Sequence, residues 1–190
     1  MQSDEALMAQ YQKGDTKAFR CLLEKHQKPV FNYLFRLLRN KESAEEALQE
    51  VFLRVVRSRQ DYRPEAKFTT WLYTLARHYG IDLIRKKKFH DHKSFEDELE
   101  KTKTGDELGI FSDEPVAADL SSALEINAKL EMVLGELNPE QRDVFVLREL
   151  QGLAFEEIAV ITNASINTVK SRMRYALQFL QKRFTDMGYS

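Results

Sequence analysis

Residues 155–184, FEEIAVITNASINTVKSRMRYALQFLQKRF, hold the side chains best suited to a chemical task. Asn167, Lys170, Ser171 and Arg174 recur at three and four, so they share one face of a helix, with Arg172 alongside. No Asp or Glu occurs between residues 165 and 184. Such a face presents hydrogen-bond donors without a competing carboxylate, which is what base edges and phosphates in a DNA groove require. An Arg guanidinium bonds a guanine edge in two places, whereas a Lys ammonium more often meets a phosphate. The chemistry on offer is therefore recognition rather than bond-breaking. The same pattern also fits a basic amphipathic surface helix in an all-α protein.

A recognition helix must be held from behind. Ile166, Val169, Met173, Ala176, Leu177 and Leu180 give this one an apolar side. Ser165 is placed to cap its start. Asn163 falls in the preceding turn, where Asn tolerates a left-handed backbone better than most residues. Ala159 is small, as a close helix crossing needs. Together these residues predict a helix-turn-helix.

The rest of the chain is helical in pattern, with scarce Gly and Pro. A first helix is expected from Ser3 to Gly14. Asp15 caps a second that runs towards Leu38, where Pro29 should kink or split it. Ser43 with Glu46 reads as a capping box for a third. Arg63-Pro64 breaks the chain, and a fourth helix follows, ending in Arg85-Lys86-Lys87-Lys88. Between residues 93 and 120 the periodicity fails, and acids such as Glu96, Asp97, Glu98 and Asp106 outnumber Lys93, Lys101 and Lys103. That composition predicts a flexible acidic linker. Beyond it, one helix covers roughly 122–135, and Asn138-Pro139 with Gln141 starts another that ends near Gly152. The expected fold is all-α: a helical domain over 1–92, the linker over 93–120, and a second helical domain over 121–190.

The net charge of −1 argues against nucleic-acid binding only as an average, because the charges are segregated along the chain. No Gly-rich phosphate loop, nucleophile motif or catalytic carboxylate pair occurs, so neither an enzyme activity nor a cofactor is expected. His90 and His92 flank Asp91, but no second cluster supports a metal site. Cys21 is the one cysteine, so no internal disulfide can form, which fits a reducing cytosol. Its place on an apolar helix face predicts a core position. The start, MQSDEALMAQ, has no charged leader followed by an apolar run, and no stretch is apolar enough to span a membrane. A cytoplasmic protein without membrane insertion is expected.

The segment VFVLRELQGLAFEEIAVITNASINTVKSRMRYAL resembles region 4 of the extracytoplasmic-function (ECF) sigma factors of bacterial RNA polymerase. Gly14-Asp15 with Ala18-Phe19, then AEEALQEVF at 44–52, then Tyr62-Arg63, FTTWL at 68–72, Ala76-Arg77, Asp82 and Arg85 resemble region 2 in the same order. Asn167, His78 and Tyr175 depart from the common pattern, where Gly, Asn and a small or basic residue are usual.

The resemblance implies a sigma factor that binds core polymerase, melts and reads a −10 element with region 2, and reads a −35 element with region 4. It implies that Glu45, Gln49, Glu50, Leu53 and Arg54 meet the beta-prime clamp coiled coil, and that region 4 meets the beta flap. It assigns Tyr62, Arg63, Lys67, Trp71, Arg77, His78, Arg85 and Lys86 to the −10 element, part of them in a loop that traps an unstacked base. Asn167, Lys170, Ser171, Arg172 and Arg174 would then read the −35 element. An anti-sigma factor is a further possible partner. The acidic linker is either a spacer or a segment threaded through polymerase channels. A repressor acting alone through its helix-turn-helix remains an alternative, though it leaves the Asp15–Trp71 match without a purpose.

Overall fold

The computed structural model describes residues 2–94 and 120–189, with side chains over 2–87 and 125–189. Among these residues the chain is helical and has no strand. Helix α1 spans Asp4–Gln12 and α2 spans Thr16–Leu38. The Asp15 carboxylate caps α2, accepting from the Lys17 N–H at 2.9 Å and the Ala18 N–H at 3.4 Å. Pro29 lies inside α2 without splitting it. A mid-helix proline costs about 3 kcal/mol. Beyond it, Val30, Tyr33, Leu34 and Leu37 are all buried, and burial of such side chains contributes about 1.5–3 kcal/mol each, so packing outweighs the break.

Helix α3 spans Lys41–Arg57 and starts before the Ser43 cap that its sequence suggests. Asn40 is the cap, its side-chain oxygen accepting from the Ser43 N–H at 2.7 Å. Helix α4 spans Phe68–Ser94 and so passes residue 92 before the described part ends. Helix α5 spans Leu120–Glu136 and α6 spans Pro139–Phe145, followed by a π-helical turn over Val146–Leu150. Asn138 caps α6 through the Glu140 N–H at 3.0 Å. Helices α7, Phe155–Thr162, and α8, Ile166–Asp186, complete the chain. The bulk of the expected linker lies outside the described residues. Cys21 does not join the core but is exposed, one step round α2 from the buried Leu22.

Helices α1–α4 pack around Met8, Leu22, Leu34, Val51, Phe68 and Leu72. Helices α5–α8 pack around Val133, Leu134, Leu147, Ile158, Ile161 and Val169. The two sets then meet along a polar seam. Asp143 on α6 is buried there, accepting from the Tyr33 hydroxyl at 2.9 Å and from Arg77 Nε at 2.6 Å. Burial, then the Asp143 charge, push the Tyr33 hydroxyl well above its usual range, so it remains a donor. Arg36 on α2 pairs with Glu131 on α5 at 2.6 Å, and the Tyr73 hydroxyl donates to Gln151 at 2.5 Å. Glu157 on α7 receives both the Thr70 hydroxyl, at 3.1 Å, and the Lys67 ammonium, at 3.3 Å.

Removing one partner of a buried, paired charge leaves the others unsatisfied, which costs about 3–5 kcal/mol. Asp143→Ala should therefore lose about that much stability, read from urea denaturation, and an unchanged midpoint would show that the seam contributes nothing. A second expectation concerns pH. His26 on α2 is buried against Asp4, with Nε2 at 2.9 Å from the carboxylate. Burial holds the imidazole below its usual range, against the opposing pull of Asp4. The unfolded chain thus binds this proton more readily than the folded one. The stability from His26 is full above about pH 6.5, the unfolded value, and is lost as pH falls through the lower folded value. Urea titrations should show stability declining below about pH 6.5, and His26→Gln should flatten that decline.

Candidate nucleic-acid interface

The turn between α7 and α8 forms because Asn163 takes the left-handed conformation, with φ at 50°. Ser165 Oγ then accepts the Thr168 N–H at 3.1 Å and starts α8. At the start of α7 the Glu157 carboxylate reaches back and accepts the Ala154 N–H at 2.7 Å, one half of a capping box. Val169, Met173, Ala176 and Leu180 are buried beneath α8, while Leu177 and Ile166, also assigned to its apolar side, stay exposed. On the outward face Asn167, Lys170 and Arg174 are exposed and Ser171 is half-buried. Arg172 differs from its neighbours. Its guanidinium is half-buried and paired with Glu140 on α6. Lys170 lies over the Phe155 ring at 6.0 Å, and Arg174 over Tyr175 at 5.2 Å.

The second cluster of expected contacts divides. Tyr62 turns inward and is 2% exposed, its ring set between Phe68 and Trp71 at centroid distances of 6.1 and 5.3 Å. Its hydroxyl donates to the Ala66 carbonyl at 2.8 Å, and burial pushes its pKa up to about 12. It builds the loop between α3 and α4 rather than presenting a face to solvent. Trp71 is half-buried, while Arg63 and Lys67 are exposed on that loop. Arg77 is tied to Asp143. His78, Arg85 and Lys86 are exposed further along α4, with Arg85 at 3.9 Å from Asp82.

On α3, Glu45 and Gln49 are exposed and Leu53 is 47% exposed, a large apolar side chain left on a polar face. Glu50 receives Arg54 and Arg57, each at 3.3 Å, and the Arg54 guanidinium sits 4.7 Å over the Tyr79 ring. This face thus carries ion pairs of its own. Sequence reasoning missed Thr70, Tyr73, Asp143 and Glu157, each a single polar side chain whose partner is far away in the chain and leaves no periodic signal.

Two family models match the chain: Sigma-70 region 2 over residues 22–90 and Sigma-70, region 4 over residues 127–180. The ECF RNA polymerase sigma factor SigW of Bacillus subtilis is 30% identical over 183 residues, covering 94% of this chain and 95% of SigW. The chain belongs to the ECF sigma factors. Sigma factors of this family are non-catalytic, and this one serves promoter-specific transcription initiation. Two solved structures share the fold. CnrH, in complex with the cytosolic domain of CnrY, has a TM-score of 0.71 at 20% identity, covering 97% of this chain and 99% of CnrH. The sigma factor RpoE of Bartonella quintana, in complex with the anti-sigma factor NepR, has a TM-score of 0.70 at 21% identity, covering 88% of this chain and 96% of RpoE. In this sigma factor, the region 2 match runs from within α2 into α4, and the region 4 match from within α5 into α8. No helix among the described residues is long and apolar enough to cross a membrane.

Proposed function

We propose that this sigma factor reads the −35 element with the outward face of α8, receives an unstacked −10 base beside the α3–α4 loop, and holds core polymerase through the outer face of α3. The observation that carries the proposal is the acid-free start of α8, where Asn167, Lys170 and Arg174 are exposed and matched to no carboxylate while Val169 and Met173 anchor the helix behind them. Arg174 reads a base edge. Lys170 and Asn167 position the helix on phosphate and sugar. Ser171 contributes at the edge of the contact. Arg172, held by Glu140, must leave an ion pair before it bonds a base.

In the −10 region, Arg63, Lys67 and Trp71 supply cations and an aromatic face for an exposed base, with Tyr62 supporting them from behind. His78, Arg85 and Lys86 track the phosphates beyond. Arg77 joins them where it is released from Asp143. Glu45, Gln49, Glu50, Leu53 and Arg54 meet the beta-prime clamp coiled coil, with Leu53 as the apolar anchor, and region 4 meets the beta flap. RpoE's partner NepR makes an anti-sigma factor a further candidate partner. The protein works where polymerase works, in the cytoplasm, and has no catalytic role.

The test is run-off transcription with core polymerase and a library of randomised −35 elements. Arg174→Ala should relax preference at one position, a loss of about 1–3 kcal/mol in discrimination. Lys170→Ala should weaken all promoters alike and flatten the salt dependence. An Arg174→Ala variant with the wild-type preference would remove α8 from base reading. Separately, Leu53→Ala with Gln49→Ala should weaken assembly with core polymerase, read by gel filtration, while helix content by circular dichroism stays unchanged. Intact assembly would take this face out of the interface.

A further inference from the structure

We propose that Gln12 and Glu5, both on α1, are positioning residues that fix the backbone of the α3–α4 loop, and thereby set preference at the −10 element without touching DNA. The proposal rests on the role given above to that loop.

The loop runs from the end of α3 at Arg57 to the start of α4 at Phe68. Its backbone acceptors are met partly from within, where the Arg63 guanidinium donates to the Gln60 carbonyl at 2.6 Å and the Tyr62 carbonyl at 3.3 Å, and partly from α1. Within the loop, the Asp61 N–H donates to Ser58 at 2.9 Å, and the Tyr62 hydroxyl to Ala66 at 2.8 Å. The middle is also tied to α1. The Gln12 side-chain amide donates to the Arg59 carbonyl at 2.7 Å and to the Tyr62 carbonyl at 3.1 Å. An amide has two N–H donors, and here one nitrogen spans two carbonyls three residues apart. That fixes the turn between them. The contact is returned, since the Gln60 side-chain amide donates to the Gln12 carbonyl at 3.1 Å.

The far end of the loop depends on the same helix. The first N–H groups of a helix have no partner inside it. At α4 the Phe68 N–H is met by Glu5 Oε1 at 3.1 Å, a cap supplied from 63 residues away. A carboxylate in that place also suits the positive end of the helix. Hydrogen bonds from its own N–H and from the Phe68 N–H hold the Glu5 carboxyl below its usual range. Helix α1 is a fixed base for these contacts, because Asp4 is bound to both Lys25, at 2.7 Å, and His26, at 2.9 Å, on α2.

Between these two points of attachment lie Arg63, Pro64, Glu65, Ala66 and Lys67, all exposed. Their direction is set by the attachment points together with two contacts of their own, Arg63 back onto the Gln60 and Tyr62 carbonyls and Lys67 onto Glu157. A loop already in its bound shape loses less freedom when a base enters, and presents one set of contacts rather than many. Releasing it should therefore blur preference as well as weaken binding.

The experiment is run-off transcription by the full chain with core polymerase on a promoter library randomised across the −10 element, and in parallel across the −35 element. Gln12→Met keeps the length of the side chain but has no N–H to donate. It should lower initiation by about tenfold, as expected for two lost hydrogen bonds, and flatten the −10 preference while the −35 preference stays intact. Glu5→Ala should act in the same direction, and Glu5→Gln, which keeps an acceptor oxygen for the Phe68 N–H, should restore the preference. This second pair decides the matter if Gln12→Met fails to fold. A uniform loss across all −10 sequences with preference intact would mean a merely structural role and would overturn the proposal. Arg63→Ala with Lys67→Ala separates the two levels. If that variant changes the −10 preference while the α1 variants do not, the loop contacts the element but α1 does not position it. If that variant also keeps the preference, the loop does not read the element and the role of α1 falls with it.

Discussion

Asp143 brings a carboxylate into the seam between the two helical sets, where it is 5% exposed. A lone charge in that place would be expensive to desolvate. It is held there by two donors from the other set, the Tyr33 hydroxyl and the Arg77 guanidinium. The arrangement of the domains depends on this pairing, because neither side satisfies its buried polar groups alone. Glu157 repeats the logic nearer the loop, taking Lys67 and Thr70 while also capping α7. In this closed arrangement Arg77 and Lys67 are matched to carboxylates of region 4. A phosphate drawn to either cation would have to displace an acid already in place, so seam closure and the strand binding proposed above draw on the same charges.

Helix α4 is where these demands meet. Phe68, Leu72 and Ala76 fill the core of region 2, while Thr70, Tyr73 and Arg77 turn towards region 4. Both faces of its first half are therefore occupied. Gly80 lets α2 approach, since a Cβ there would stand 2.6 Å from Leu37 Cδ2. Beyond it the helix emerges from the seam and carries Arg85 and Lys86 into solvent. One helix thus runs from a two-sided core at its start to an exposed basic surface.

What the sequence disclosed and what it did not follow the range of the interactions. The helix-turn-helix was legible because its signals are local: Asn163 makes its own turn and Ser165 its own cap. The two-domain helical fold was legible from apolar periodicity. That Pro29 would not split α2 was not legible, because its local penalty is set against distant packing that the sequence does not display. Tyr62 was assigned to the DNA surface by its motif, yet its ring is enclosed by Phe68 and Trp71, which share the first turn of α4. Cys21 sits among apolar neighbours in sequence but one step round α2 from Leu22, enough to turn it outward. The seam left no trace at all, because Tyr33 and Asp143 are single polar residues 110 positions apart.

The near-neutral net charge now has a structural account. Acids and bases balance in number, 30 against 29, but not in placement. Within the described residues, several carboxylates are matched to partners of the same chain: Asp143 to Arg77, Glu131 to Arg36, Glu157 to Lys67 and, at the surface, Glu136 to Arg183. A charge spent on an internal partner contributes little to the field outside. Lys170 and Arg174 rest against aromatic rings, which steady them without neutralising them. The positive field at α8 therefore survives in a protein whose total charge is −1, and it is the local field, screened within about 10 Å at ordinary salt, that a phosphate meets.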